Sequence, residues 1–412
     1  MKYLIFILFS ANCFSQTMIN EQSLEIMLPK NPTVESINER VNAAEVLKGS
    51  LGRSFLPKVL LSYGHERYTT GPYLNVNQPY GGVEAKINIF NSGRDQIVNE
   101  QREKQASIAK IDSIVTRVQL KAEILKNMAQ YAYLEELQNV LVEAKGINDK
   151  NLKSAQNRIN AGLGTKTDSL DFRQQNIMLE QQITALSYEL NIVKRIVATL
   201  LGLEPESSLQ VSFVNSHPEH IADKSMDLLS NNSLLLTRAN LLTEIAKLDS
   251  SQAKKWWTPS LDIYGYALRF TQKEREYPTV GQRNDTGIGF RLTFPIFDGG
   301  EGIRQSQAQT ALAKSQESAA RMRKLEVERD ILNAKSKLQL AHDLIHGAEE
   351  NAEIMDEYRT GILNEYVRGI KNSPDVLQAS QRWIQSKMNF AEVKKNYQFA
   401  KADALFLVGV SN

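Results

Sequence analysis

The sequence predicts a mixed α/β membrane protein made of two copies of one unit, each a pair of β-strands followed by a long helical hairpin. Two alternating stretches point to the strands. Val83, Ala85, Ile87 and Ile89 alternate with Glu84, Lys86 and Asn88, and Phe290, Leu292, Phe294 and Ile296 alternate with Arg291 and Thr293. A period of two marks a strand with one apolar face. Each stretch breaks at a turn signal, Phe90-Asn91-Ser92-Gly93 or Phe297-Asp298-Gly299-Gly300, and a long run of helical composition follows. The third observation is register. Phe90 recurs as Phe297, an offset of 207 positions, and the same offset joins Gly162 to Gly369, Asp168 to Asp375, Leu170 to Leu377 and Gly202 to Gly409. Landmarks that stay in ungapped register mark an internal repeat.

The chain opens on Lys2 followed by the apolar run Tyr3 to Phe9, with Ser15-Gln16 a suitable cleavage point. Residues 1–15 read as a secretory signal peptide, too short to span a bilayer. Cys13 is the only cysteine. Ser10 and Asn12 depart from the pattern that precedes a lipidated cysteine, so the sequence leaves lipidation of Cys13 open. After cleavage no disulfide or thiol chemistry would remain. The formal net charge of +2 gives no strong pull on nucleic acid. No later stretch holds the 18 or so consecutive apolar residues of a transmembrane helix, but alternating barrel strands need none.

In chain order, Asn31-Pro32 opens a first helix running to about Ser54, where Pro57 stops it. A first strand is expected over about 57–69, although Leu60 interrupts its alternation, and the turn-rich segment from Thr70 to Pro79 leads to a second strand over 82–90. From Arg94 to Ala161 there is no proline, and Ile111, Val115, Val118, Ala122, Leu125, Ala129 and Ala132 follow a heptad seam. A weaker stripe beside it (Ile114, Ile124, Met128, Tyr131) suits a helix with two neighbours, whereas an ordinary coiled-coil dimer needs one seam. Gly162-Leu163-Gly164 ends this helix and the next runs to Leu201, so the hairpin spans 94–201. The first repeat is thus 16–204, and the polar segment 205–225 is a linker. The second repeat, 226–412, begins with a helix over about 225–255. Trp256-Trp257-Thr258-Pro259 then leads into strands expected at about 259–270 and 286–297, and a hairpin over 302–408 turns at Gly369 to Pro374. Paired aromatics at the junction suit a membrane-interface girdle of Trp256 and Trp257.

Four strands cannot close a membrane barrel, since bacterial outer-membrane barrels have at least eight. Open strand edges are not tolerated in lipid, so several chains would have to pool their strands; three would supply twelve.

This arrangement resembles the TolC family of outer-membrane efflux proteins. The likeness is carried by Asn31-Pro32, Leu56-Pro57, Ile89-Phe90-Asn91-Ser92-Gly93, Arg158-x-x-x-Gly162-Leu163, Asp168-x-Leu170, Leu200-Leu201-Gly202-Leu203, Pro295-Ile296-Phe297-Asp298-Gly299-Gly300 and Asp375-Val376-Leu377. It covers nearly all of the chain after the leader. The resemblance implies a homotrimer with a 12-stranded β-barrel in the outer membrane of a Gram-negative bacterium and an α-helical barrel forming a periplasmic tunnel. It also implies a periplasmic adaptor protein at the hairpin ends and an inner-membrane pump behind it. The chain departs from the family at Ile370, where the first hairpin has Leu163, and at Gln378, where many relatives carry a second acidic residue.

No catalytic constellation stands out, and no cofactor is implied. His342 and His346 are spaced i, i+4 as metal ligands can be, but Asp343 stands where the metalloprotease pattern needs Glu; solvated helix histidines are the plainer reading. Two functions of different class remain: a passive export conduit, and an envelope coiled-coil structural protein without a pore. The alternating strands favour the conduit. On that reading Val83, Ala85, Ile87, Ile89, Phe290, Leu292, Phe294 and Ile296 face lipid, while Glu84, Lys86, Arg291 and Thr293 face a lumen. Gly162, Leu163, Gly369 and Ile370 form adaptor-contacting tips. Asp375, and less strongly Asp168, contribute to a cation-attracting ring at the periplasmic gate. Ser373-Pro374-Asp375 reads as N-cap, N1 and N2 of the last helix. The cargo, and the particular pump, are not encoded in any motif found.

Overall fold

A computed structural model describes residues 17–68, 76–162, 164–207, 209–213, 233–270 and 283–410. The expected leader, Cys13 and Leu163 lie outside the described residues. In chain order the elements are β1 (Thr17–Ile19), α1 (Glu21–Met27), a single 3-10 turn, α2 (Pro32–Leu47), α3 (Ser50–Ser54), β2 (Lys58–Tyr68), β3 (Val76–Phe90), α4 (Arg94–Asn160), α5 (Lys166–Leu200) and β4 (Leu209–Val211). There follow α6 (Leu234–Lys254), β5 (Ser260–Phe270), β6 (Arg283–Thr293), α7 (Glu301–Val367) and α8 (Ser373–Gly409). Among the described residues no helix is long and apolar enough to cross a membrane.

The described residues fall in two compact units. One takes Met1–Asn38, Ser113–Leu234 and Glu326–Asn412, the other Glu39–Asp112 and Leu235–Leu325, so α4 and α7 each contribute to both. Each of those helices has 67 residues, a length of about 100 Å at 1.5 Å per residue. Gly146 does not interrupt α4, because with no packed neighbour it costs the helix only about 1 kcal/mol relative to Ala.

In the first unit the core draws on both α4 stripes, Leu125 from the heptad seam and Ile124 and Met128 from the weaker one. Leu120, Ile124, Leu125 and Met128 of α4 are buried with Val193, Val197 and Ala198 of α5, Ala402 of α8, and Leu24, Leu28 and Val34 from the N-terminal helices. Asn31 explains its place in the sequence here. Its amide Nδ2 donates to the Leu200 carbonyl at 2.8 Å, satisfying a helix-end acceptor, while its Oδ1 accepts from Thr33 N–H as α2 begins. The segment after α5 is not wholly irregular as its polarity suggested. Leu209–Val211 pairs in parallel with Thr17–Ile19, burying Leu209 and Val211 beside Ile19.

In the second unit β2, β3, β5 and β6 form one antiparallel sheet in that order. The expected first helix is two pieces, because Gly49 adopts a left-handed φ of 66° between α2 and α3. β3 begins at Val76, earlier than the alternation indicated, and continues through Pro79 opposite His65. β6 ends at Thr293, so Phe294 and Ile296 lie beyond the sheet. Pro295 has no N–H with which to extend the ladder. Ser92 and Arg94 lock the first strand-to-helix junction. Ser92 Oγ donates to the Pro259 carbonyl at 2.6 Å, and Arg94 Nη2 donates to the Lys255 and Thr258 carbonyls at 2.6 and 2.9 Å.

Candidate functional site

The hairpin ends belong to the first unit. Both reversals use a left-handed glycine, Gly162 at φ 72° and Gly369 at φ 80°. A residue with a Cβ would be strained there. Gly369 N–H donates to the Tyr366 carbonyl and Ile370 N–H to the Glu365 carbonyl, both at 3.0 Å, closing the α7 end. Ile370 is 68% exposed, an apolar side chain presented to solvent at the turn.

The helices that follow begin with reciprocal caps. Thr165 Oγ1 accepts from Asp168 N–H at 3.3 Å, and the Asp168 carboxylate accepts from Thr165 N–H at 3.1 Å. The second cap corrects the sequence assignment by one residue. Asn372, not Ser373, is the N-cap: its Oδ1 accepts from Asp375 N–H at 3.2 Å, and Asp375 Oδ2 accepts from Asn372 N–H at 3.3 Å. Asp375 is therefore N3.

The reason is where Ser373 points. Its buried hydroxyl lies 2.7 Å from Asp168 Oδ1 and 2.9 Å from Asp171 Oδ2 of the first hairpin, so one hydroxyl serves two carboxylates. A second link runs beside it. Arg158 at the end of α4 donates from Nη1 to the Tyr366 carbonyl at 2.7 Å, and its guanidinium lies 4.8 Å from the Tyr366 ring centroid. Beneath both links the two hairpins share a core of Ala155, Phe172, Ile362, Tyr366, Val376 and Ala379, with Phe172 edge-on to Tyr366 at 5.9 Å. Partial burial raises the pKa of Asp168, but hydrogen bonds from Ser373 and Thr165 and the nearby Arg158 outweigh it, holding the carboxyl below its ordinary value.

Arg158 was legible only as part of a motif, and its partner Tyr366 not at all. The repeat hinted at the difference between the two halves, since Asp168 and Asp171 in the first hairpin correspond to Asp375 and Gln378 in the second.

The sheet belongs to the second unit and has two distinct faces. On one, Val59, Ala85, Gly265 and Ile288 form a cross-strand row, Leu61, Val83 and Ala267 another, and Ile87, Ile263 and Phe290 a third, followed by Leu261 and Leu292. Ile288 is 85% and Phe290 77% exposed, so nothing among the described residues covers this part of the face. Alternation alone put Ile89 here. A bulge between Asn88 and Phe90 instead sets Phe90 opposite Leu261 and takes Ile89 out of the ladder. The other face is polar. Lys86 Nζ lies 2.7 Å from Asp262 Oδ2, Asn88 Nδ2 donates to Asp262 Oδ1 at 2.7 Å, and Ser62 Oγ donates to Glu84 at 3.1 Å. Arg291 lies over the Tyr264 ring. Beside the sheet, Trp256 packs against Gly302, while Trp257 is 53% exposed.

His342 sits by Asp343 at 3.4 Å and edge-on to His346 on the same helix. Among the described residues no group of three or more His, Cys, Asp or Glu could hold a metal ion.

The sequence matches the profile of the outer membrane efflux protein family over residues 24–203 and 226–409, most of both halves. The chain belongs to the outer membrane efflux protein family. It is an outer-membrane channel of an export system, a passive conduit rather than an enzyme, with its helices forming a periplasmic tunnel. No curated protein matches the sequence. The fold is shared with solved structures of low sequence identity. The outer membrane protein VceC of Vibrio cholerae is 14% identical, with a TM-score of 0.80 over 95% of this chain and 96% of that one. The CmeC outer membrane channel of Campylobacter jejuni is 16% identical, with a TM-score of 0.76 over 95% of this chain and 86% of that one. The open state of the MtrE channel of Neisseria gonorrhoeae is 13% identical, with a TM-score of 0.74 over 94% and 88%. This is the fold of outer-membrane efflux channels, and the family and the fold together do not favour the pore-less structural alternative.

Proposed function

We propose that three copies of this chain pool their strands into a 12-stranded barrel, and that the linked hairpin ends close the periplasmic entrance of the conduit. The observation that carries this is the sheet. It has an exposed apolar face, a charged opposite face and two edges, β2 and β6, that no strand among the described residues pairs with. Edges of that kind are satisfied in lipid only by closure with further strands. The apolar rows containing Val83, Ala85, Ile87, Phe290 and Leu292 then face lipid. Phe294 and Ile296, past the strand end, and Trp257 sit at the interface. The two repeats, 16–204 and 226–412 around the 205–225 linker, each supply two strands and one hairpin.

At the hairpin ends Asp375 contributes a cation-attracting ring by trimer repetition, with Asp168 tied more firmly into the cap and the Ser373 contact. Gly162, Leu163, Gly369 and Ile370 meet a periplasmic adaptor protein, behind which an inner-membrane pump supplies the cargo. Ile370 and nearby Val367 support this, since exposed apolar residues grouped at a turn are suited to a partner. The test is export in cells carrying Leu163→Asp with Ile370→Asp. The trimer should survive in detergent while export is lost; wild-type export by that variant removes the tips from the docking surface.

A further inference from the structure

Three tyrosines on the polar sheet face share one arrangement. Tyr264 stands opposite Gly289, Tyr266 opposite Gly287, and Tyr80 opposite Gly64, each across an antiparallel ladder. In every pair the far end of the ring occupies the space where a side chain on the glycine would begin. A Cβ built on Gly289 would lie 2.9 Å from the Tyr264 hydroxyl oxygen, one on Gly287 2.7 Å from Tyr266 Cζ, and one on Gly64 2.6 Å from Tyr80 Cζ. Each ring therefore leans sideways over the neighbouring strand instead of standing up from the sheet. Arg291 lies down as well, its guanidinium 5.0 Å from the Tyr264 ring centroid. Glycine within a strand weakens it and marks a close approach of another group, which here is the ring of its cross-strand partner.

We propose that these glycine–tyrosine pairs set the bore of the barrel lumen. Tyr264 and Tyr266 stay flat against the wall because Gly289 and Gly287 leave room for them. The inference rests on the polar face being the lumen. With three chains around one axis, each pair recurs three times at one level, so lifting the rings narrows the passage from three sides at once. Cargo sliding past meets aromatic faces and hydroxyls instead of upright ring edges. A methyl group at either glycine displaces only the far end of a flexible side chain, so the ring swings off the strand while the backbone stays.

Cys13 is the only cysteine in the sequence, so in a Cys13→Ser background one introduced thiol is a clean reporter. Thr293→Cys places it on the polar face at the helix-side end of β6, beyond both tyrosines as approached from the loops. Ser62→Cys places it on the same face on the loop side of them. Intact cells are treated with maleimide-linked polyethylene glycols of graded size. With Gly287→Ala and Gly289→Ala, the largest reagent that labels Thr293→Cys in the parent should no longer label it, while labelling of Ser62→Cys is unchanged. Adding Tyr264→Ala and Tyr266→Ala should restore the parent's size limit. An unchanged limit in the glycine variant, or no restoration on removing the rings, overturns the proposal. If even the smallest maleimide fails to reach Thr293→Cys in the parent, the polar face is not the lumen, and that reading falls together with the inference built on it.

Discussion

Asp168 and Asp375 occupy the same place in the two repeats yet have different surroundings, and single substitutions separate their roles. Asp375 holds the Asn372 N–H, and at N3 its carboxylate also interacts favourably with the helix dipole. Asn in its place still accepts that hydrogen bond but carries no charge. Asp375→Asn should therefore lower cation selectivity in planar bilayers and weaken block by multivalent cations, with trimer stability nearly unchanged. Loss of stability alone, with selectivity intact, would make Asp375 a helix-start residue only. Asp168 is the group whose carboxyl is held below its ordinary value, against the effect of burial, by Ser373, Thr165 and Arg158. A depressed folded-state pKa stabilises above the unfolded value, about 3.9 for Asp, and that contribution is lost as pH falls through the lower folded value. Acid titration should thus loosen the hairpin ends only below about pH 4, and Asp168→Asn should remove that step from the profile of urea stability against pH. An identical acid limb in the variant would show that the carboxylate is not what holds there.

At the level of elements, the sheet carries the clearest prediction. Ile87 lies on the apolar face, in a row with Ile263 and Phe290, while Lys86 beside it points to the opposite face and pairs with Asp262. Arg at Ile87 should cost about 2–4 kcal/mol of folding stability in lipid if the residue sits near the bilayer midplane. Normal insertion of Ile87→Arg into outer membranes would reverse the face assignment. Both faces were legible from alternation, and the long hairpins from the heptad seam and the 207-residue offset, because those signals are local and periodic. What stayed hidden depends on single positions or on distant partners. The Ile89 bulge changes register without altering the composition of the strand. Pro295 stopped β6 although the apolar alternation ran on to Ile296. Asn372 displaced Ser373 as the cap because Ser373 has a partner about two hundred residues away, and no period reports such a contact. The meeting of Arg158 with Tyr366 was illegible for the same reason.

For the whole molecule, a passive conduit must conduct when engaged and leak little at rest. Symmetry alone places nothing across the tunnel mouth; what holds the mouth shut, on this account, is the pair of links between the two hairpins of each chain. One runs from Arg158 to the Tyr366 carbonyl and ring, the other from the Ser373 hydroxyl to Asp168 and Asp171. The first is one hydrogen bond and a cation–π contact, the second one hydroxyl shared by two carboxylates, each contact on the order of 1 kcal/mol or somewhat more where a charge takes part. In the proposed trimer, threefold repetition of these links would make the closed state favourable but reversible. The most direct measurement is the single-channel conductance of purified trimer in planar bilayers, comparing the parent with Arg158→Ala plus Ser373→Ala. The account predicts a small, cation-selective parent conductance and a several-fold larger one in the double variant, with the trimer intact on native gels. A parent that already conducts at the level of the double variant, or a double variant that conducts no more than the parent, would contradict it.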